Sequence, residues 1–136
     1  MDKVISLKNL GGVNFMSGKV VLLVDDDNMI RAIFKETLLR AGIDVIEANS
    51  ADQALEQLAE GTHIDAVISD YRMPGMNGIE LANSLQGQYP LMLISADNLQ
   101  DVVGKIPVIT KYKRKPLAPE EFLDEVKMLF ACADPV

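Results

Sequence analysis

Cysteine occurs once in this chain, at Cys132, so an internal disulfide is excluded. Histidine also occurs once, and His63 has no ligand partner near it in sequence; it reads as a solvated residue ahead of a strand. Positive charge is scarce. Thirteen Lys and Arg stand against 20 Asp and Glu, leaving a net charge of -7. A domain that acidic is repelled by phosphodiester backbones, so direct nucleic-acid binding is not expected. Long apolar runs are missing too. Val20–Val24 falls far short of the ~20 residues needed to cross a bilayer, and no membrane partner is expected. The opening Met1-Asp2-Lys3-Val4-Ile5-Ser6 has no apolar signal core, which leaves a soluble cytoplasmic domain as the expectation. What is present suffices for folding. The apolar fraction of 49% excludes a disordered chain, and 136 residues make one domain that needs no staples.

No internal repeat or low-complexity tract interrupts the chain. Residues 1–18 read as a poorly ordered N-terminal tail or extension, broken by Gly11-Gly12 and Ser17-Gly18. Met16 offers a second start, which leaves open whether residues 1–15 are native. From Lys19 the pattern sharpens, and a domain is expected over 19–132 with a C-terminal tail at 133–136. Val20–Val24 is a continuous β-branched and apolar run, the mark of a strand buried on both faces of a parallel sheet. Ile30, Ile33, Phe34, Thr37, Leu38 and Ala41 recur at helical spacing, and Gly42 stands where a helix would end. Residues 45–48 predict a second strand. Ser50-Ala51-Asp52-Gln53 fits a capping box, opening a helix that carries Ala54, Leu55 and Leu58 to a stop at Gly61. Residues 66–69 predict the third strand, 78–86 a short helix, and 91–95 a fourth strand entered through Pro90. Pro119, with Glu120 and Glu121 behind it, begins a last helix carrying Phe122, Leu123, Val126, Leu129 and Phe130. Strand and helix alternate, so the class is α/β: a three-layer, doubly wound sandwich with helices on both faces of a parallel sheet.

In such sheets, function gathers beyond the C-terminal ends of the strands. The first strand ends in Asp25-Asp26-Asp27, the third in Asp70 and the fourth in Ser95-Ala96, while the last leads to Lys115-Pro116. If those ends converge, three carboxylates, a hydroxyl and an ammonium share one crevice. Clustered carboxylates persist ionised only around a cation, and all-oxygen ligands with open water positions suit Mg²⁺. Mg²⁺, a hydroxyl and a lysine together cradle a phosphoryl group's oxygens, and a carboxylate can then act as nucleophile to form an aspartyl phosphate. Asp27 reads as a helix N-cap alone.

These strings resemble a known family. Val24-Asp25-Asp26-Asp27, Asp70-Tyr71-Arg72-Met73-Pro74-Gly75-Met76-Asn77-Gly78, Ser95-Ala96 and Lys115-Pro116 are similar to the receiver domain of two-component response regulators, over residues 19–131. The D-x-x-M-P-x-M-x-G string is specific; the other three motifs are weak alone and gain from their order. The resemblance implies a flavodoxin-like sheet of five parallel strands in order 2-1-3-4-5. It implies that Asp70 is the phosphoacceptor, that Asp26 ligates Mg²⁺ directly and Asp25 mainly through water, and that the Arg72 backbone carbonyl is a further ligand. It implies that Ser95 binds a phosphoryl oxygen, that Lys115 pairs with the phosphate, and that Tyr112, three residues before it, is an aromatic switch. Pro74-Gly75 and Gly78 would shape the loop past Asp70, and the bond before Pro116 is commonly cis in this family. Arg72 and Asp97 fall where the family varies and tunes phosphate lifetime. The implied donor is a histidine kinase or histidine phosphotransfer protein and the output an unidentified downstream protein, with the chain a monomer or weak dimer. With no output domain after Ala131, it acts alone by docking or is a fragment of a longer protein.

Two features depart from that pattern. Between Ser95 and Lys115 a helix fits only over about residues 98–105, because Pro107 cannot continue it. That shortened fourth helix puts the family's usual dimer mode in doubt. Residues 107–111 also read as a strand with a lysine at its end, which makes Lys111 a rival to Lys115 and would take the switch role from Tyr112. The run Lys111, Lys113, Arg114 and Lys115 reads as a charged edge strand that resists sheet-to-sheet pairing. A haloacid-dehalogenase-type phosphatase also uses a strand-end aspartate with Mg²⁺. That family wants D-x-D-x-T/V, however, and here Asp25-x-Asp27 is followed by Asn28-Met29. A degenerate receiver acting only as an interaction module is the second rival, and the intact acidic pair, Asp70 and Ser95 argue against it.

Overall fold

The computed structural model describes residues 17–133; the rest of the expected tails, 1–16 and 134–136, lies outside the described residues. In chain order the elements are β1 (Val20–Val24), α1 (Asn28–Arg40), β2 (Asp44–Ala48), α2 (Ala51–Ala59), β3 (Ala66–Asp70), α3 (Gly78–Leu85), β4 (Leu91–Ser95), α4 (Gln100–Val103), β5 (Lys111–Arg114) and α5 (Pro119–Ala133). The strands form one parallel sheet in the order β2-β1-β3-β4-β5.

The period of two along each strand sorts side chains onto two apolar layers. Val21 and Leu23 of β1, with Ile68, Met92 and Ile94, pack under α1 and α5. Phe34 and Phe122 stack there with ring centroids 4.0 Å apart. Leu22 and Val24 face the other way, toward Ala51 and Ala54 of α2 and Leu81, Ala82 and Leu85 of α3. Three central strands covered on both faces account for the unbroken apolar runs.

Helix starts follow side-chain capping. Asp27 Oδ1 accepts the N–H groups of Met29 and Ile30, at 3.0 and 3.1 Å. Ser50 Oγ accepts from Gln53 N at 3.1 Å, but Gln53 Oε1 reaches back to Asn49 N at 2.7 Å rather than to Ser50, so the expected box closes one residue early. A reciprocal capping box stands instead at Asn77 and Glu80, opening α3. That helix ends at Leu85, with Gln86 in a left-handed cap at φ 54°.

The fourth helix is shorter than the expected 98–105, a single turn over Gln100–Val103. Leu99 N takes the Tyr112 hydroxyl oxygen at 3.0 Å, and Gln100 N turns to Asn98 Oδ1 at 3.3 Å, which delays the start. Beyond Val103 the chain tightens into three-residue turns, Lys105 N to Val102 O and Ile106 N to Val103 O. The fifth strand begins only at Lys111, so the alternative strand over 107–111 does not form. Its two lysines are held by α5, with Lys111 Nζ 3.0 Å from Glu125 and Lys113 Nζ 3.2 Å from Glu121. His63, read as a solvated residue, keeps its side chain 74% exposed and sits 3.1 Å from Asp65.

Candidate functional site

Beyond the C-terminal edge of the sheet the strand ends meet. Asp25 follows β1 and is 4% exposed, Asp26 beside it is exposed, and Asp70 closes β3 at 9%. One carboxylate oxygen from each lies within 4.8 Å of the others. Lys115, just past β5, brings its Nζ to 2.9 Å from Asp70 Oδ1. The bond from Lys115 to Pro116 is cis. Lys111, the rival, lies near the opposite end of the edge strand, paired in register with Met92, and its ammonium is taken by Glu125.

Electrostatics marks the cluster. Burial pushes the Asp25 carboxyl from its ordinary 3.8 up to about 6, helped by the charges of Asp70 and Asp26 and opposed by the Asp27 N–H and Lys115. Burial raises Asp70 as well, against the Lys115 hydrogen bond that pulls it down. Three hard oxygen donors that repel one another in a half-dry setting fit a divalent cation of the Mg²⁺ type. A cleft of about 420 Å³ opens beside them, lined by Asp26, Tyr71, Arg72, Met73, Pro74, Gly75 and Asn77.

Two loops fix the rim. Past Asp70 the chain turns through Gly75 at φ 79° and returns so that Gly78 N donates to Tyr71 O at 2.9 Å. A Cβ on Gly78 would press into the Asp70 carbonyl oxygen and stand 2.6 Å from Leu93 Cδ1, so only glycine fits there. At the end of β4, Ser95 is 1% exposed and lies one residue beyond Ile94, the register partner of Asp70. Its Oγ accepts the Asp97 N–H at 3.0 Å. Tyr112 donates its hydroxyl proton to the Asp97 carbonyl at 2.5 Å and accepts from Leu99 N, tying β5 to the β4–α4 loop. Over this edge Arg72 and Asp97 meet, Nε to Oδ2 at 2.6 Å.

Sequence reading missed one set of contacts. Arg31 on α1 donates through Nη1 to the Asp25 carbonyl at 2.6 Å, through Nε to Glu47 at 3.0 Å and through Nη2 to Asn28 at 2.9 Å. A glutamate inside the apolar strand 45–48 was the available signal, since a charge there asks for a partner.

Residues 21–127 match the family model described as the response regulator receiver domain, and the chain belongs to that family. Its relatives are response regulators of the CheY type. Chemotaxis protein CheY1 of Helicobacter pylori is 30% identical over 127 residues, covering 84% of this chain and 98% of that protein. The two-component response regulator ORR21 of Oryza sativa is 39% identical over 98 residues, 70% of this chain but only 14% of the rice protein's length. Among solved structures, chemotaxis protein CheY4 of Vibrio cholerae superposes with a TM-score of 0.74 at 31% identity, over 82% of this chain and 98% of that one. The Thermotoga maritima response regulator TrrA, crystallised in complex with Mg²⁺ and BeF, gives 0.72 at 28% identity over 82% of this chain and 98% of that one. The five-stranded order and its flanking helices are those of a CheY receiver. Receiver domains are signalling proteins that take phosphoryl groups from histidine kinases. Among the described residues no helix is long and apolar enough to cross a membrane.

Proposed function

We propose that this chain accepts a phosphoryl group on Asp70 from a phosphohistidine of a histidine kinase or histidine phosphotransfer protein. The observation that carries the reading is the Asp70–Lys115 contact of 2.9 Å at the centre of a three-carboxylate cluster. Lys115 holds Oδ1 and leaves Oδ2 as the nucleophile. Oδ2 attacks phosphorus, the phosphorus–nitrogen bond of the donor breaks, and its electron pair returns to the imidazole. Asp26, the Asp70 carboxylate and the Arg72 carbonyl would hold Mg²⁺ directly, with Asp25 acting mainly through water. Bound there, the ion supplies positive charge against the phosphoryl oxygens.

The remaining roles belong to the chain itself. Once transfer consumes the Asp70 charge, the Lys115 ammonium pairs with the phosphoryl oxygens, and the Ser95 O–H donates to another. Tyr112 couples that exchange to the loop it grips. Water later attacks phosphorus, the acyl–phosphate bond breaks, and free carboxylate and inorganic phosphate are released. Catalysis in this reading extends only to the chain's own transfer and hydrolysis, and the output passes to a downstream protein.

Labelling with acetyl phosphate, followed by intact mass, tests the proposal. One phosphoryl group should add in Mg²⁺ and none in chelator, and Asp70→Asn should abolish it with an unchanged circular dichroism spectrum. Persistent labelling of Asp70→Asn would move the acceptor elsewhere. A parent that never labels would leave an interaction module.

A further inference from the structure

The loop between β1 and α1 must present Asp26 to the cleft, yet Asp26 is exposed and its side chain is not packed in place. Its direction is set by the peptide that joins it to Asp25. Asp25 N donates to Ala48 O at 3.1 Å, and Asp25 Oδ1 accepts from Asp27 N at 2.9 Å. The carbonyl of the same peptide is held by Arg31 Nη1 at 2.6 Å. Arg31 starts one turn after Asp27, with its own N–H on the Asp27 carbonyl at 3.0 Å, so α1 aims the guanidinium back at the loop. Its side chain is 15% exposed, and Glu47 Oε1 takes Nε at 3.0 Å. Glu47 sits in β2 opposite Leu23, two residues short of Asp25 along β1, and Lys35 clamps its other oxygen at 2.8 Å.

We propose that Arg31 is a positioning residue for the acid cluster, locking the Asp25–Asp26 peptide so that Asp26 faces the cation site, with Glu47 orienting the guanidinium. This rests on the reading of Asp25, Asp26 and Asp70 as the phosphoryl-transfer site. A planar fork with five donors serves three acceptors in fixed directions; an ammonium on a flexible stem does not. Without the fork, the peptide rotates and the cation must order Asp26 as it binds.

The sign of the effect separates positioning from charge. Arg31 is a cation close to a cation site, so by Coulomb's law alone its removal tightens Mg²⁺. Positioning makes the opposite forecast: Arg31→Gln weakens Mg²⁺ about tenfold, the lower end of what an outer-shell partner is worth. Calorimetric titration of Mg²⁺ into the metal-free full chain reads this directly. Arg31→Lys keeps the charge but not the fork, so it should weaken Mg²⁺ at least as much as Arg31→Gln; it also serves should the glutamine variant fail to fold. In the double variant with Glu47→Gln the loss should match that of Arg31→Gln alone, because Glu47 acts through Arg31.

Unchanged or tighter Mg²⁺ binding in either Arg31 variant, even with a lowered melting temperature, makes the contact purely structural and overturns the proposal. Additive losses in the double variant overturn the part given to Glu47. A parent that binds no Mg²⁺ and takes no label overturns the site reading itself, and this inference with it. A parent that does both alongside unaltered Arg31 variants sinks the Arg31 assignment alone.

Discussion

Replacing Asp25 by Asn removes one negative charge from the cluster and leaves an amide oxygen to accept the Asp27 N–H. Burial holds the Asp25 carboxyl at about 6 against an ordinary 3.8. That difference is worth about 3 kcal/mol at about 1.4 kcal/mol per unit. The folded value is raised above the unfolded one. The protonated form therefore favours folding fully below about pH 4, and that contribution is lost as pH rises through about 6. Between about pH 7.5 and about pH 5, Asp25 alone should return about 1.4 kcal/mol to the metal-free protein. Asp70 is raised too, and it acts with the same sign. Urea unfolding in chelator at the two pH values measures the effect. The parent should be more stable at the lower pH, while Asp25→Asn should start about 3 kcal/mol above the parent at neutral pH and lose most of the slope. Saturating Mg²⁺ should reverse the parent's trend, because the ion keeps the carboxylates charged and is released as they protonate. Metal-free stability that is flat or falls toward pH 5, or an Asp25→Asn variant with the parent's slope, would refute the reasoning.

Two further outcomes are expected. Lys115→Ala should spare Mg²⁺ binding but blunt the conformational response to a beryllofluoride mimic, read by amide shifts in nuclear magnetic resonance. Lys111→Ala should leave that response intact and cost about 1 kcal/mol of stability, since it leaves Glu125, whose side chain is 13% exposed, with Lys113 Nζ at 3.5 Å in place of two lysines; the reverse pattern would transfer the phosphate role to Lys111. Arg72→Ala and Asp97→Ala should each change the dephosphorylation rate with little change in melting temperature, because their pair stands over the site in solvent. Simple additivity in that double-mutant cycle would show that the two do not act as one lid.

How much of this was legible in the sequence depends on the range of the interaction. The strands β1, β3 and β4 announce themselves because each is buried on both faces, so an unbroken apolar run is a local signal. The placement of Asp25, Asp70 and Ser95 follows from where those runs stop. The fifth strand is harder. Lys-Tyr-Lys-Arg has no apolar run, and it is a strand because β4 pairs with it and α5 neutralises its lysines, both of which are distant in sequence. Residues 107–110 carry the better local strand pattern and are left outside the sheet, as tertiary context overrides propensity. The fourth helix shows the same limit. Pro107 marks where it must stop, but its late start is set by Tyr112, whose hydroxyl takes the Leu99 N–H from 13 residues away. Arg31 was harder for the same reason: its partner Glu47, charged within an apolar strand and so the one local hint, lies 16 residues away, and the arginine alone gives no sign of the Asp25 carbonyl six residues back.

The cluster is a place where the fold accepts local conflict, and its charge count shows what resolves it. Asp25, Asp26 and Asp70 carry three negative charges when ionised, and Lys115 is the cation in contact with them, which leaves two negative charges. That remainder matches one divalent ion. Arg31 stays out of this contact count, because its donors go to the Asp25 carbonyl, to Asn28 and to Glu47 rather than to the three carboxylates. The phosphorylation proposed at Asp70 would add about −1.5 to −2 charges while masking that of Asp70, so Lys115 and the cation would both still be needed afterwards. On the proposed reading, the added phosphoryl oxygens would compete with Asp97 Oδ2, 3.5 Å from Ser95 Oγ in the unmodified chain, for the Ser95 hydroxyl proton. Asp97 is also where Arg72 and Tyr112 attach, so a change at Ser95 reaches the rim and β5 through one loop. What lies beyond that loop is one turn of helix, a length with no stability of its own. That one turn is thus the helix cheapest to rearrange, and on the reading proposed above it is the one a phosphoryl group at Asp70 would move first.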